Sequence, residues 1–205
     1  MSQIVDKIFE QFPHDTPNAQ PEHVKTILES IEQTKDIPGA VVELGCHAGL
    51  TSIYIRRLLD RLGSDKEFHV YDSFQGLPDK DTKDGDEDPK FCKGYFNLGG
   101  TWQLLKRFND ANLRLPKIHE GWFKDQTYPD KISFGFLDGD FYQSILDSLE
   151  KVWPRLQPGG IICIHDYGWD KLPGVEQAVR EYFGSTDMVT VSTFGLAVIK
   201  KEWIF

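Results

Sequence analysis

The chain is predicted to be an α/β protein on a doubly wound, mainly parallel sheet of seven strands. Three observations carry that prediction. Short β-rich apolar runs alternate with segments of helical apolar spacing, several of those runs end in glycine or an acid, and Ile161-Ile162-Cys163-Ile164 is an unbroken apolar run suited to a strand buried on both faces.

Taken in order, Val24, Ile27, Leu28 and Ile31 follow Pro21 at helical spacing and predict a helix over 21–34, closed by Pro38-Gly39. Residues 1–38 are therefore read as an N-terminal helical extension to a single domain over 39–205. The first strand is 40–44; Gly45 and Gly49 turn the chain into a helix carrying Ile53, Ile55, Leu58, Leu59 and Leu62. Phe68 to Tyr71 form the second strand, which runs into Asp72-Ser73-Phe74-Gln75-Gly76-Leu77-Pro78. Strands three and four cover 117–121 and 132–138. A helical stripe of Ile145, Leu146, Leu149, Val152 and Trp153 is broken by Pro158-Gly159-Gly160, and the fifth strand covers 161–164. Val175, Ala178, Val179, Tyr182 and Phe183 mark the last helix, and 188–191 with 194–199 close the sheet as a hairpin.

Composition narrows the function. A chain of 205 residues with 40% hydrophobic and 27% charged residues folds and buries a core. A net charge of -9 argues against nucleic acid or an anionic membrane as the main partner. The Met1 end carries acids inside its only apolar stretch, so neither a signal peptide nor a membrane span is expected. Cys46, Cys92 and Cys163 are an odd set without CxxC spacing, consistent with a reduced, cytoplasmic protein.

In an open parallel sheet, ligands gather beyond the carboxyl ends of the strands. The first such end is Glu43-Leu44-Gly45-Cys46-His47-Ala48-Gly49, with Thr51 just inside the helix; the glycines allow close backbone approach, and the spacing is not the GxGxxG of a nicotinamide dinucleotide site. Asp72 follows the second strand where a carboxylate accepts from both hydroxyls of a ribose, or serves as a turn residue. Glu120-Gly121-Trp122-Phe123 offers an acid and a flat surface for an adenine, or core aromatics. The fourth and fifth strands end in Asp138-Gly139-Asp140 and His165-Asp166; neighbouring strands lie about 4.8 Å apart, so these ends can share one cation. His14, His23 and His69 have no partner at ligand spacing and are read as surface or core residues. The stretch from Asp79 to Lys90 holds six acids and three lysines and reads as a solvated, mobile loop, with a role as a lid over the site left open.

In this order, Glu43-x-Gly45-x-x-x-Gly49, Asp72-Ser73-Phe74-x-Gly76-Leu77-Pro78, Gly121-Trp122-Phe123-x-Asp125, Leu137-Asp138-Gly139-Asp140-x-Tyr142, Pro158-Gly159-Gly160 and Asp166-Tyr167-Gly168 resemble the macrocin-type O-methyltransferases over about 40–183. The resemblance implies a Rossmann-like class I methyltransferase that uses S-adenosylmethionine. It implies cofactor contacts at Glu43, Gly45, Gly49, Asp72, Ser73, Glu120 and Gly121, to which His47, Thr51, Trp122 and Asp138 are added as neighbours in the same motifs. It also implies a divalent cation at Asp138 and Asp166, magnesium with manganese as the alternative, and a small-molecule or sugar hydroxyl as acceptor.

Two departures stand out. The family commonly shows two adjacent acids where this chain has His165-Asp166, and Thr-Leu-Pro where it has Gln126-Thr127-Tyr128-Pro129. His165 is then either a third metal ligand or the base that deprotonates the acceptor, with Asp138 and His165 the catalytic candidates. The segment available to hold an acceptor is reduced to about 79–115. A metal-dependent nucleotide-sugar glycosyltransferase, a catalytically inactive binding module of the same fold, and a homodimer remain open at this point.

Overall fold

Alternation along the strands sorts the apolar side chains to two faces, and helices cover both. In the computed structural model, which describes residues 2–13, 20–85, 88–193 and 195–202, seven strands form one sheet: β1 (Ala40–Leu44), β2 (Phe68–Asp72), β3 (Lys117–Glu120), β4 (Ile132–Leu137), β5 (Leu156–Tyr167), β6 (Thr190–Thr193) and β7 (Gly195–Lys200). Their order is β3-β2-β1-β4-β5-β7-β6. β1 pairs in parallel with both β2 and β4, and β7 runs antiparallel between β5 and β6. The chain order reverses between β1 and β4, the switch point at which a crevice opens beyond the strand ends.

One face is covered by α1 (Gln3–Gln11), α2 (Pro21–Gln33), α3 (Leu50–Arg61) and α4 (Trp102–Asp110), whose apolar residues share a core with Val41, Phe134, Phe136 and Cys163. The other is covered by α5 (Tyr142–Val152) and α6 (Pro173–Phe183), packed on Val42, Leu44, Leu137, Ile162 and Ile164. The N-terminal extension is thus part of the main core: Val5, Ile8, Val24, Ile27, Leu28 and Ile31 are all buried in it.

The structure adds two helices that the sequence reading lacks. α1 buries Val5 and Ile8 and is capped by Ser2, whose Oγ accepts from the Val5 N–H at 3.2 Å. α4 buries Leu104 and Phe108, an i, i+4 pair inside the segment assigned to acceptor binding. Strand five begins at Leu156, so Pro158-Gly159-Gly160 lies within it; a register shift against β4 between Ile132 and Phe134 absorbs these residues, and Gly159 takes φ 79°. β6 starts at Thr190, two residues later than expected.

The charged loop is anchored where the sequence showed nothing to bury. Asp84 is 1% exposed and its carboxylate accepts from the Tyr142 N–H at the start of α5 (2.5 Å) and from the Asp81 N–H (2.8 Å). A buried acid satisfied in this way replaces apolar side chains as the loop's anchor. Residues 86 and 87 of that loop lie outside the described residues, as does His14.

Candidate functional site

A cleft of about 850 Å³ opens beyond the carboxyl ends of β1, β2, β4 and β5. Four of the six non-glycine residues with positive φ among the described residues line it, namely His47, Phe96, Asp140 and Asp166. Backbone strain is therefore concentrated where the candidate chemistry lies.

Glycine at 45 has a steric cause. A Cβ there would stand 1.8 Å from the Asp138 carbonyl oxygen, at φ 92°, so the ends of β1 and β4 can close up only around a glycine. Gly49 also takes positive φ, but its missing Cβ faces Leu104 and Phe108 on α4, and it does not line the cleft. Its role in the structure is helix packing. Glu120 is exposed on β3 and does not line the cleft either, whereas Gly121 and Trp122 do.

Asp72, at the end of β2, is held by two backbone donors: the His47 N–H on one carboxylate oxygen and the Phe74 N–H on the other, each at 2.7 Å. The carboxylate thereby ties the glycine loop to the turn after β2, and each oxygen keeps a further lone pair. Burial pushes its pKa upward against those bonds. Ser73 lines the cleft and donates to the Gly76 carbonyl at 2.9 Å. Thr51, at the start of α3, also lines it.

Glu43 alternates toward α3 and accepts from the Ser52 hydroxyl at 2.6 Å. It is 1% exposed; desolvation, against that hydrogen bond and reinforced by the charges of Asp138 and Asp72, pushes its carboxyl up to about 8.

The strand ends of β4 and β5 bring together Asp138, His165 and Asp166, with one ligand atom from each within 4.8 Å of the others. His165 Nδ1 stands 3.2 Å from Asp138 Oδ1 and 3.1 Å from Asp166 Oδ2, yet it is buried and makes no aligned hydrogen bond. Burial opposes a charge on this ring, but the two carboxylates outweigh it and hold His165 well above the ordinary histidine range. Asp140 is pushed well above the carboxylate range, by desolvation first and then by the charges of Asp138 and Asp166.

His23, read from sequence as a surface or core residue with no partner at ligand spacing, is buried on α2 at 3% exposure; beyond that reading, it lines the cleft and places Nδ1 3.1 Å from His165 Nε2. A separation of 142 positions along the chain left no local signal. His69 keeps a structural role: buried, it meets His119 at 3.0 Å and Glu67 at 3.1 Å on the far edge of the sheet. The cleft is also lined by Lys90, Phe91, Lys93, Tyr95, Phe96 and Trp169.

A model of the macrocin-O-methyltransferase (TylF) family matches residues 17–191. The chain is 30% identical over 168 residues to the 8-demethyl-8-(2,3-dimethoxy-alpha-L-rhamnosyl)-tetracenomycin-C 4'-O-methyltransferase of Streptomyces olivaceus, covering 75% of this chain and 62% of that protein. It is 31% identical over 176 residues to the demethyldecarbamoylnovobiocin O-methyltransferase of Streptomyces niveus, covering 78% and 66%. The chain thus spans about two thirds or less of these relatives' lengths. Among solved structures, the O-methyltransferase NovP superposes with a TM-score of 0.78 at 24% identity, over 89% of this chain and 81% of that one, a likeness of fold.

Proposed function

The chain belongs to the macrocin O-methyltransferase family, and from that premise we propose that it transfers a methyl group from S-adenosylmethionine to a hydroxyl of a small molecule or sugar, assisted by a divalent cation at Asp138, His165 and Asp166. One observation carries this reading: Asp72 at the end of β2 and the Asp138–His165–Asp166 trio at the ends of β4 and β5 open into the same cleft along one edge of the sheet. The family match leaves the glycosyltransferase alternative without support.

The chain's own residues account for most of what the reaction needs. Asp72, oriented by two backbone N–H groups, presents lone pairs to ribose hydroxyls. Gly45 permits backbone approach, and Trp122 and Phe123 offer apolar surface to an adenine. S-adenosylmethionine supplies an electrophilic methyl group on a sulfonium sulfur. The donor set of two carboxylates and one imidazole nitrogen fits a cation of the magnesium or manganese type, and the convergence of His165 Nδ1 on both carboxylates supports that fit. Such a cation supplies Lewis acidity that lowers the pKa of an acceptor hydroxyl. Asp138 and Asp166 would hold it, His165 would complete the set, and the aromatic side chains lining the cleft would orient the acceptor and exclude water.

Calorimetric titration with S-adenosylmethionine, and separately with UDP-sugars, each with and without a divalent ion, tests the reading. Binding of S-adenosylmethionine alone among these is expected; binding of UDP-sugars in its place would overturn the proposal.

A further inference from the structure

We propose that His23 is a positioning residue for His165: its Nδ1 accepts the Nε2–H of His165 and so holds the opposite nitrogen toward Asp138 and Asp166. The inference rests on reading that trio as a cation site.

The geometry leaves two arrangements. His23 Nδ1 and His165 Nε2 are 3.1 Å apart, with the rings edge to face at 80°, and a single hydrogen sits between two nitrogens so placed. With the hydrogen on His23, His165 Nε2 is bare and the ring's own proton sits on Nδ1, directed into the space between the two carboxylates. With the hydrogen on His165, Nδ1 is the nitrogen left to face that space, and it offers a lone pair there once a cation takes the place of any proton between the carboxylates. Only the second arrangement makes His165 a ligand. Metal-binding histidines are generally oriented through the other ring nitrogen, and here His23 is the group in that place.

Rigid elements carry the contact. His23 and Ser30 lie seven residues apart on one face of α2, and Cys163 and His165 lie two apart on one face of β5. Cys163 Sγ meets Ser30 Oγ at 3.7 Å while His165 meets His23, so the helix is registered on the strand at two points. Val24, Ile27, Leu28 and Ile31 bury the same helix in the core. A ligand held by two packed elements is kept to a tighter geometry than one on a loop. Helix α2 of the N-terminal extension is therefore part of the site.

The test combines spectra with ion binding. Imidazole 15N spectra of the metal-free protein are expected to show His23 with a bare Nδ1 and a protonated Nε2; a protonated His23 Nδ1 overturns the assignment whether or not an ion binds. Mn2+ titration followed by the free-ion electron paramagnetic resonance signal is expected to show affinity reduced about 10- to 100-fold in His23→Phe. His23→Asn, whose Oδ1 can accept in place of Nδ1, should recover most of it. S-adenosylhomocysteine affinity, expected to be unchanged in both variants, reports on folding; if His23→Phe folds poorly, His23→Asn and the wild-type spectra decide. Equal Mn2+ affinity in wild type and His23→Phe would overturn the positioning role. Absence of Mn2+ binding to the wild type would overturn the cation reading and the role toward an ion with it, while the spectra separately decide the hydrogen bond.

Discussion

Replacing Glu43 by glutamine tests whether the buried acid beside the glycine loop is protonated in the folded protein. Its carboxyl has an ordinary value of 4.5 and is pushed up to about 8 in the fold, chiefly by desolvation. Below pH 4.5 both folded and unfolded chains hold the proton, and Glu43 adds no pH dependence. Between 4.5 and 8 the unfolded chain has released it while the folded chain keeps it, so stability falls as pH rises, by about 1.4 kcal/mol per pH unit. Between pH 5 and pH 7 that is about 3 kcal/mol; the fall ends above pH 8, where both states are ionised. Glutamine has no such proton, and its amide oxygen can accept the Ser52 hydrogen bond that Glu43 accepts at 2.6 Å. Urea denaturation of both proteins at several pH values is expected to show similar stability near pH 5 and a growing advantage for Glu43→Gln toward pH 8. A stability difference that stays constant from pH 5 to pH 8 would show Glu43 ionised in the fold and refute the reasoning.

Asp72→Ala removes the acceptor of the His47 and Phe74 N–H groups as well as the proposed ribose partner, and is expected to weaken S-adenosylhomocysteine binding about 10- to 100-fold by calorimetry. Unchanged affinity would remove Asp72 from the cofactor site. Asp138→Asn and Asp166→Asn should lower the methyl-transfer rate far more than cofactor affinity, and full activity in excess EDTA with metal shown absent by elemental analysis would rule out the cation. Asp84→Ala frees the Tyr142 N–H and the loop around it; it should cost about 1–2 kcal/mol and speed tryptic cleavage at Lys80 or Lys83, and an unaltered cleavage rate would show the loop anchored elsewhere.

Local patterns made much of the fold legible. The first four strands and the helices α2, α3, α5 and α6 lie close to where apolar periodicity and turn residues put them, because those signals act within a few residues. α4 was missed although Leu104 and Phe108 carry an i, i+4 pair, since only two core positions mark a short helix among polar neighbours. β5 was shortened because Pro158-Gly159-Gly160 signals a break, whereas a register shift accommodates it in the strand. Most cofactor candidates, Glu43, Gly45, His47, Thr51, Asp72, Ser73, Gly121, Trp122 and Asp138, line one cleft because they follow strand ends, which a parallel sheet brings to one edge. Gly49 was placed with them by its motif spacing, yet the atom it lacks faces α4.

By itself, then, the sequence determined the strand ends and the residues standing on them, because strand positions along the chain and side-chain alternation follow from local apolar period and turn chemistry. Tertiary structure alone decided the contacts between elements far apart in the chain. Packing of α2 on β5 brought His23 to His165, and closure of the charged loop on α5 buried Asp84. Enclosure of Glu43 beneath α3 raised its carboxyl to about 8. Burial and through-space charge depend on which surfaces meet when the layers close, and no window of neighbouring residues records that.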